Sequence, residues 1–493
     1  MKSHTLSRPR FTIPKAAAAR DLPLGELPLC PPPLLPCTNA RRVGCPSIRK
    51  INSGISRILN GSRSWPWDCL NHDMNPAATI PARPRLVFWE LTTGCNLRCI
   101  HCRASASELM SPDDLSTSEC LRIVDEIAGY APLILVLSGG EPLWRRDVFD
   151  IASHANQRGI RVALATNGTL MDEAMAERTR DAGIVRVAIS LDGADRVTHD
   201  SFRGHQGAFE AAIRGIRCLQ DVGISTQINT TVSRHNAHQL PEMVDLARQL
   251  KVDAFHLFLL VPVGCGLTIA EDQSVSGEDA ERILNWFYDR SLDSGMELKA
   301  TCAPQYYRIA RQRRAEARRA GETVPDLMPQ PLRASEGPTG ARHPGSLPGE
   351  PSHGARPGHH QDGHPGAHPA GLNHGHPAGL NQMTRGCLAG SGVCFISHKG
   401  VVQPCGYLPL EAGDLRRRSF REVWEESALF AELRDPDILE GKCGCCEFKL
   451  VCLGCRARAY GMTGNWKGEE PFCVYEPRTM RVAGEQSCHP AQH

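Results

Sequence analysis

The chain lacks any apolar run of the ~18 residues that a helix needs to cross a bilayer, so no membrane span is expected. It also lacks a surplus of either charge: 56 Lys and Arg face 54 Asp and Glu, a formal net charge of +2. Without a basic excess, nothing in the composition points to a nucleic acid partner. The first residues lack the basic-then-apolar layout of a secretory leader. Cysteine, by contrast, is abundant, with 21 in 493 residues. These cysteines do not read as a disulfide framework. They gather at short, metal-type gaps, which fits a reducing compartment. The expectation is a soluble cytoplasmic protein of two or three domains.

Residues 1–80 stand apart. Leu29-Cys-Pro-Pro-Pro-Leu-Leu-Pro-Cys37 can hold neither a helix nor a central strand. Cys30, Cys37, Cys45 and Cys69 are irregularly spaced. A disordered extension is expected here, and Met74 is a plausible true start. From Leu86 onward apolar strand-like runs recur at Leu86–Leu91, Leu133–Leu137, Val162–Thr166, Val185–Leu191, Gln227–Val232 and Ala254–Val261. Helix-type segments such as Ser118–Ala128 and Leu240–Leu250 lie between them. This alternation predicts an α/β fold, a partial (β/α)6 TIM-type barrel over 84–300 with its chemistry at the C-terminal strand ends. A helical linker is expected at 301–333. Residues 334–382 are rich in Gly, Pro and His, and hold eight of the chain's 20 histidines. There His368-Pro-Ala-Gly-Leu-Asn373 recurs as His376-Pro-Ala-Gly-Leu-Asn381. Such a tract buries no core; it reads as a disordered surface insertion, with loose metal binding as the alternative. A cysteine-rich module (383–480) and a tail (481–493) complete the chain.

The chemistry is concentrated in Trp89-Glu-Leu-Thr-Thr-Gly-Cys-Asn-Leu-Arg-Cys-Ile-His-Cys102. Cys95, Cys99 and Cys102, spaced C-x3-C-x2-C, can bind three irons of a [4Fe–4S] cubane and leave the fourth iron open to a small molecule. The competing reading is a structural zinc loop with His101 as fourth ligand. The run Leu133–Leu137 ends in Ser138-Gly139-Gly140-Glu141-Pro142. Gly139 and Gly140 free the backbone to turn and approach a ligand closely, and Glu141 offers an anion to an ammonium group. Taken alone this is an ordinary turn, but its place at a strand end after the cysteine loop gives it weight. Thr166-Asn167-Gly168 and Ser190-Leu-Asp192-Gly193 also follow strands and carry small polar groups. Late in the chain come Cys387, Cys394 and Cys405, and then Cys443, Cys446, Cys452, Cys455 and Cys473 in the pattern C-x2-C-x5-C-x2-C-x17-C. Geometry of this kind suits zinc and iron–sulfur clusters equally.

Together the cysteine loop and the Gly-Gly-Glu turn resemble the radical SAM superfamily. That resemblance implies a [4Fe–4S] cluster on Cys95, Cys99 and Cys102, the catalytic trio, bound with S-adenosylmethionine (SAM). It also implies SAM contacts from Gly139, Gly140, Glu141, Thr166, Asn167, Ser190 and Asp192. Val261-Pro-Val-Gly264-Cys-Gly266 falls where the family meets adenine through its backbone, with Cys265 where related enzymes often have Arg. The late cysteines resemble the SPASM (twitch-like) extension, as do Gly413-Asp-Leu-Arg and Ser419-Phe-Arg-Glu-Val-Trp424. This implies one or two auxiliary [4Fe–4S] clusters. Family analogy groups Cys443, Cys446, Cys452 and Cys473 for one, and Cys387, Cys394, Cys405 and Cys455 for another, with Cys445 spare. The gap between Cys452 and Cys455 is two residues where the family usually has three, and a zinc-ribbon-like appendage is the competing reading.

Beyond the superfamily, Cys102-Arg-Ala-Ser-Ala106, Thr301-Cys-Ala-Pro-Gln-Tyr-Tyr307, Phe395-Ile-Ser-His398, Gln403-Pro-Cys-Gly-Tyr407 and Cys452-Leu-Gly-Cys-Arg-Ala-Arg-Ala-Tyr460 resemble the alternative heme b synthases of siroheme-dependent heme biosynthesis. This implies oxidative decarboxylation of two propionates of iron-coproporphyrin III to vinyl groups. The partners implied are an iron-porphyrin substrate and an electron donor such as a ferredoxin or flavodoxin. Arg385, Arg456 and Arg458 are candidate carboxylate binders by bidentate pairing. Competing readings are the propionate-removing enzyme of the dioxo-heme pathway, a SPASM peptide-modifying enzyme, and an electron-transfer or metal-storage protein. The last needs no Gly139-Gly140-Glu141 turn.

Overall fold

A computed structural model describes residues 83–108, 111–322 and 386–482. Residues 1–80, the insertion 334–382, Arg385 and most of the tail lie outside the described residues.

Seven strands run parallel in chain order. They are β1 (Leu86–Glu90), β2 (Ile134–Ser138), β3 (Arg161–Thr166), β4 (Ile184–Ser190), β5 (Ser225–Val232), β6 (Ala254–Leu259) and β7 (Glu297–Thr301). The six apolar runs read from the sequence are β1 to β6. β7, Glu-Leu-Lys-Ala-Thr, was not among them: its polar alternation hides a strand that pairs with β6 from Glu297 to Thr301.

Strand alternation divides each side-chain row. Val87 and Trp89 of β1 with Leu91 just after it, and Val187, Ile189 and Leu191 at β4, join the core beneath the outer helices. The opposite rows face the concave side, where Ala163, Ala165, Ala188 and Ser190 are small and leave room. Helix Thr117–Ala128 shows how the outer layer is specified. Ser116 and Glu119 form a capping box, and Cys120, Ile123, Val124 and Ile127 line one buried stripe at helical spacing.

The sheet does not stop at β1. Three further strands, β8 (Val393–Ile396), β9 (Val401–Gln403) and β10 (Gly413–Asp414), continue it in the order β10-β9-β8-β1. β8 lies parallel to β1, with Val87 opposite Cys394 and Phe88 opposite Phe395. The cysteine-rich region thus grows out of the barrel edge. It is tied to helix Thr117–Ala128 by Arg122 Nη2 donating to Leu415 O (2.8 Å), Phe420 N to Glu126 Oε2 (2.7 Å) and Tyr130 OH to Glu425 Oε1 (2.7 Å). At the other end, the Arg458–Glu470 ion pair (2.9 Å) is fully buried. Arg458 also donates to Cys302 O (2.6 Å) and covers the Phe472 ring. Removing one partner of such a pair costs about 3–5 kcal/mol, because the other charge is left uncompensated.

Candidate active site

The cysteine loop leaves the C-terminal end of β1, and neighbouring strand ends close around it. Gly140 N donates to Thr92 O (2.7 Å) and Glu141 N to Gly94 O (2.8 Å). A Cβ on Gly139 would lie 2.7 Å from Thr92 O, and one on Gly140 2.5 Å from Gly94 O. The two glycines are therefore needed where the turn after β2 meets the cysteine loop, backbone against backbone. Gly264, at φ +55°, is pressed in the same way: a Cβ there would meet Arg103 O at 2.2 Å. Next to it Cys265 N donates to Cys102 O (2.8 Å).

Each thiol of the loop has a donor aimed at it. Leu97 N lies 3.4 Å and Asn167 Nδ2 3.9 Å from Cys95 Sγ, Arg203 Nη1 is 3.7 Å from Cys99 Sγ, and Ala106 N is 3.5 Å from Cys102 Sγ. Burial pushes the Cys95 thiol up to about 12 and also raises Cys99, so metal-free sulfurs hold their protons until a cluster displaces them. Such donors offset the charge of a thiolate-bound cluster. The donor set therefore fits three corners of a cubane. Among the described residues no three His, Cys, Asp or Glu side chains group as ligands of a single ion; a cubane places each thiolate on its own iron. His101 does not complete a zinc set. Its ring stacks on Phe202 at 3.9 Å, with Nε2 turned to Asp192 (3.5 Å). Burial and the neighbouring Arg203 lower its pKa well below the usual value, which keeps the ring neutral.

Glu141 and Asp192 are both fully buried. The Glu141 carboxylate accepts from Leu143 N (3.1 Å), Thr166 Oγ1 (2.7 Å) and Asn167 N (2.8 Å), binding the turn after β2 to the end of β3. Burial raises its pKa against the pull of those donors. The Thr166 hydroxyl is thus spent on Glu141. The Asn167 side chain holds the cysteine loop through Asn96 Oδ1 (2.9 Å). Asp192 accepts from Thr231 N (2.7 Å) and pairs with Arg203 at 2.6 Å. The guanidinium that touches the Cys99 sulfur is therefore itself fixed by Asp192. Ser190 ends β4, half-buried on the concave row. Arg203 and Asn96 were not singled out in the sequence. Arg203 stands in a helix with no motif, and only the fold brings it to the thiols; Asn96 lies within the cysteine loop, but its spacing there does not mark a role.

The late cysteines form two groups. Cys443, Cys446, Cys452 and Cys473 line one open hollow of about 420 Å³, together with Arg308 and Glu470. Glu470 N (3.3 Å) and Arg456 Nη2 (3.5 Å) donate to Cys443 Sγ, Phe448 N to Cys446 Sγ (3.4 Å) and Gly454 N to Cys452 Sγ (3.4 Å). Cys445 turns to carbonyls of its own turn, with Gly441 O at 3.5 Å. The second group departs from the expected four. Cys387, Cys405 and Cys455 lie within electrostatic reach of one another. Cys394 is not with them; it is buried in the core on the outer row of β8. Arg456 and Arg458 are buried and committed: Arg456 donates to Trp466 O and Gly468 O, and Arg458 pairs with Glu470. They brace this region from within, with their donors engaged by protein acceptors.

One contact joins the two cysteine regions. Arg103, next to Cys102, donates through Nη1 to Gly406 O (3.2 Å), next to Cys405. Its other amino group pairs with Glu90, and its guanidinium lies over the Phe395 ring at 4.6 Å. Glu90 in turn pairs with His398 (2.8 Å).

The sequence pattern of the Radical SAM superfamily matches residues 89–247, and that of the SPASM iron–sulfur cluster-binding domain matches residues 387–447. An AdoMet-dependent heme synthase of Methanosarcina barkeri is 44% identical over 394 residues, covering 80% of this chain and 97% of the relative. A pre-heme d1 synthase of Dinoroseobacter shibae is 31% identical, over 82% of this chain and 90% of the relative. In fold, the chain is similar to Streptococcus suis SuiB bound to its precursor peptide SuiA. The TM-score there is 0.56 at 16% identity, covering 80% of this chain and 76% of that one.

Proposed function

This chain belongs to the radical SAM superfamily and carries a SPASM domain, and from that membership we propose that it converts two propionates of iron-coproporphyrin III to vinyl groups, giving heme b. It is an enzyme whose cofactors are SAM, a [4Fe–4S] cluster and auxiliary iron–sulfur clusters. The observation that carries the substrate class is the 44% identity to an AdoMet-dependent heme synthase across nearly that protein's whole length.

Cys95, Cys99 and Cys102 would hold the cluster, which would supply the electron for SAM cleavage and so for hydrogen abstraction at a propionate β-carbon. The chain's own residues set the stage. Arg203, fixed by Asp192, and Asn167, fixed through Thr169 and Asn96, hold the thiolate loop in one shape. Gly139 and Gly140 keep the turn after β2 against that loop, and Glu141 braces the turn against β3, so the SAM contacts assigned to this turn rest on a preorganised backbone. The concave row is small at Ala163, Ala165, Ala188 and Ser190, which suits a flat macrocycle. The Arg103–Gly406 contact ties the loop that would hold the first cluster to the turn that carries Cys405. A ferredoxin or flavodoxin is a suitable donor for the first electron. No described helix is long and apolar enough to cross a membrane.

The 31% identity to a pre-heme d1 synthase gives a second substrate its claim. Anaerobically reconstituted protein should be supplied with SAM and reductant, and with either iron-coproporphyrin III or didecarboxysiroheme. Mass loss from iron-coproporphyrin III to protoheme is the expected result. Turnover of didecarboxysiroheme alone would replace the reading with the dioxo-heme one.

A further inference from the structure

We propose that Cys302, not Cys394, completes the second auxiliary site together with Cys387, Cys405 and Cys455. The inference rests on the SPASM domain holding auxiliary clusters, and not on the porphyrin reading.

Position argues first. Cys302 immediately follows β7, at the C-terminal end of a barrel strand where this fold places its chemistry. Arg458, three residues beyond Cys455, donates to the Cys302 carbonyl at 2.6 Å and so fastens the start of this loop to the helix that Cys455 precedes. Two residues further, Pro304 packs on Gly386: a Cβ at Gly386 would lie 3.1 Å from Pro304 Cα and 2.6 Å from Cys452 O. That contact sets Cys387 beside the same loop, and Cys387 N donates to Cys452 O (3.1 Å). The Cys302 thiol lies in electrostatic reach of those of Cys455 and Cys405. The backbone of Cys302 is held at φ +53°, the left-handed region that costs a non-glycine residue about 1–3 kcal/mol and that concentrates at functional sites.

Cys394 fails on the same grounds. Successive residues of a strand face opposite ways. Gly406, in the turn that carries Cys405, packs on the Phe395 ring, so Phe395 faces the site; a Cβ on Gly406 would lie 3.3 Å from that ring. Cys394, one residue earlier, faces away, fully buried in the core with Ile396 and Val402. The thiol nearest in sequence is on the wrong side of β8, while one 85 residues upstream of Cys387 is on the right side.

Of the proposed set, Cys455 is buried and Cys302, Cys387 and Cys405 are half-buried.

The test uses the full chain, reconstituted anaerobically, with iron and sulfide counted per chain. Electron paramagnetic resonance is recorded on the reduced protein, and circular dichroism and uncoupled 5′-deoxyadenosine formation report on fold and first cluster. Cys302→Ala is expected to lose about four irons and one paramagnetic signal while still cleaving SAM. Cys302→Ser, which offers an oxygen ligand, is expected to shift that signal even where iron is kept. Cys394→Ala is expected to retain full iron and an unchanged spectrum. Full iron and an unchanged spectrum in both Cys302 variants would overturn the proposal. So would selective loss of a cluster from a folded Cys394→Ala protein, or a Cys302–Cys455 disulfide in the cluster-loaded chain. None of these readouts requires porphyrin turnover, so a wrong substrate would leave the result intact.

Discussion

The cysteine loop at 95–102 and the cysteines beyond residue 386 meet the same chemical demand over different distances along the chain. In the loop, three thiols lie within eight residues, and the fold adds only what holds them: donors from Arg203 and Asn167, and glycines that let neighbouring turns press close. In the late region the thiols are collected from separate segments by a sheet that runs on from the barrel edge into β8. A local site announces itself by spacing. An assembled site is decided by which way each side chain faces, and spacing does not record that.

The sharpest way to break this comparison is at the local site. Cys95→Ala, Cys99→Ala and Cys102→Ala should each abolish SAM cleavage, because each removes the protein ligand of one iron. Formation of 5′-deoxyadenosine should fall to background in all three. Undiminished formation in any of them would remove the basis for an open-iron site.

At the assembled site the expected loss is large but selective. A Cys443→Ala/Cys446→Ala variant should lose about four irons and keep the first cluster. It should cleave SAM slowly with an artificial reductant and form little vinyl product. Full iron in that variant would return the hollow between Cys443 and Cys473 to zinc or free thiols. Normal product with iron lost would leave that cluster a structural role alone.

What the sequence made legible follows the same division. Six barrel strands were readable because their apolar runs face a core, and the Gly139-Gly140-Glu141 turn because it ends one of them. β7 escaped because its row facing the concave side carries Glu297, Lys299 and Thr301, so hydrophobicity could not mark it. The four cysteines that line one hollow were grouped in advance by family analogy; short gaps alone would have chosen Cys455 over Cys473. Cys394 was grouped with the other set by family analogy; it lies buried in the core, and one step along β8 reverses a side chain. Arg456 and Arg458 look from sequence like free cations near a substrate, yet their charges are spent on Trp466 and Gly468 carbonyls and on Glu470. The glycines illustrate the opposite case. They were read as freedom to approach a ligand, and what they approach is the cysteine loop's own backbone.

That last point gives a smaller, sharper test. Gly140→Ala places a methyl group 2.5 Å from Gly94 O and 2.6 Å from Thr93 O, backbone atoms that cannot swing aside. Overpacking of this kind costs about 1–3 kcal/mol. Thermal denaturation should show the loss, and iron should fall at the first site while the auxiliary iron is kept. Equal loss at both sites would mean that the turn supports the whole fold and not the loop.

The smallest expected effect falls on the contact that joins the two regions. Arg103 uses the fork of its guanidinium to reach Glu90 with one amino group and Gly406 O with the other, over the face of Phe395. Lysine in its place keeps the charge for Glu90 but has a single ammonium on a flexible stem, and it cannot hold both partners in one plane. Arg103→Lys should therefore leave iron content and uncoupled SAM cleavage near wild type. If the Gly406 contact sets the spacing between the first cluster and the Cys405 turn, product formation should drop by roughly tenfold, the equivalent of one charge-assisted hydrogen bond of ~1.5 kcal/mol. The telling quantity is the ratio of 5′-deoxyadenosine to vinyl product. A rise in that ratio means electrons leave the substrate less readily when the bridge is loosened. If both fall together, Arg103 merely supports the loop that it belongs to, and the two cysteine regions communicate by another path.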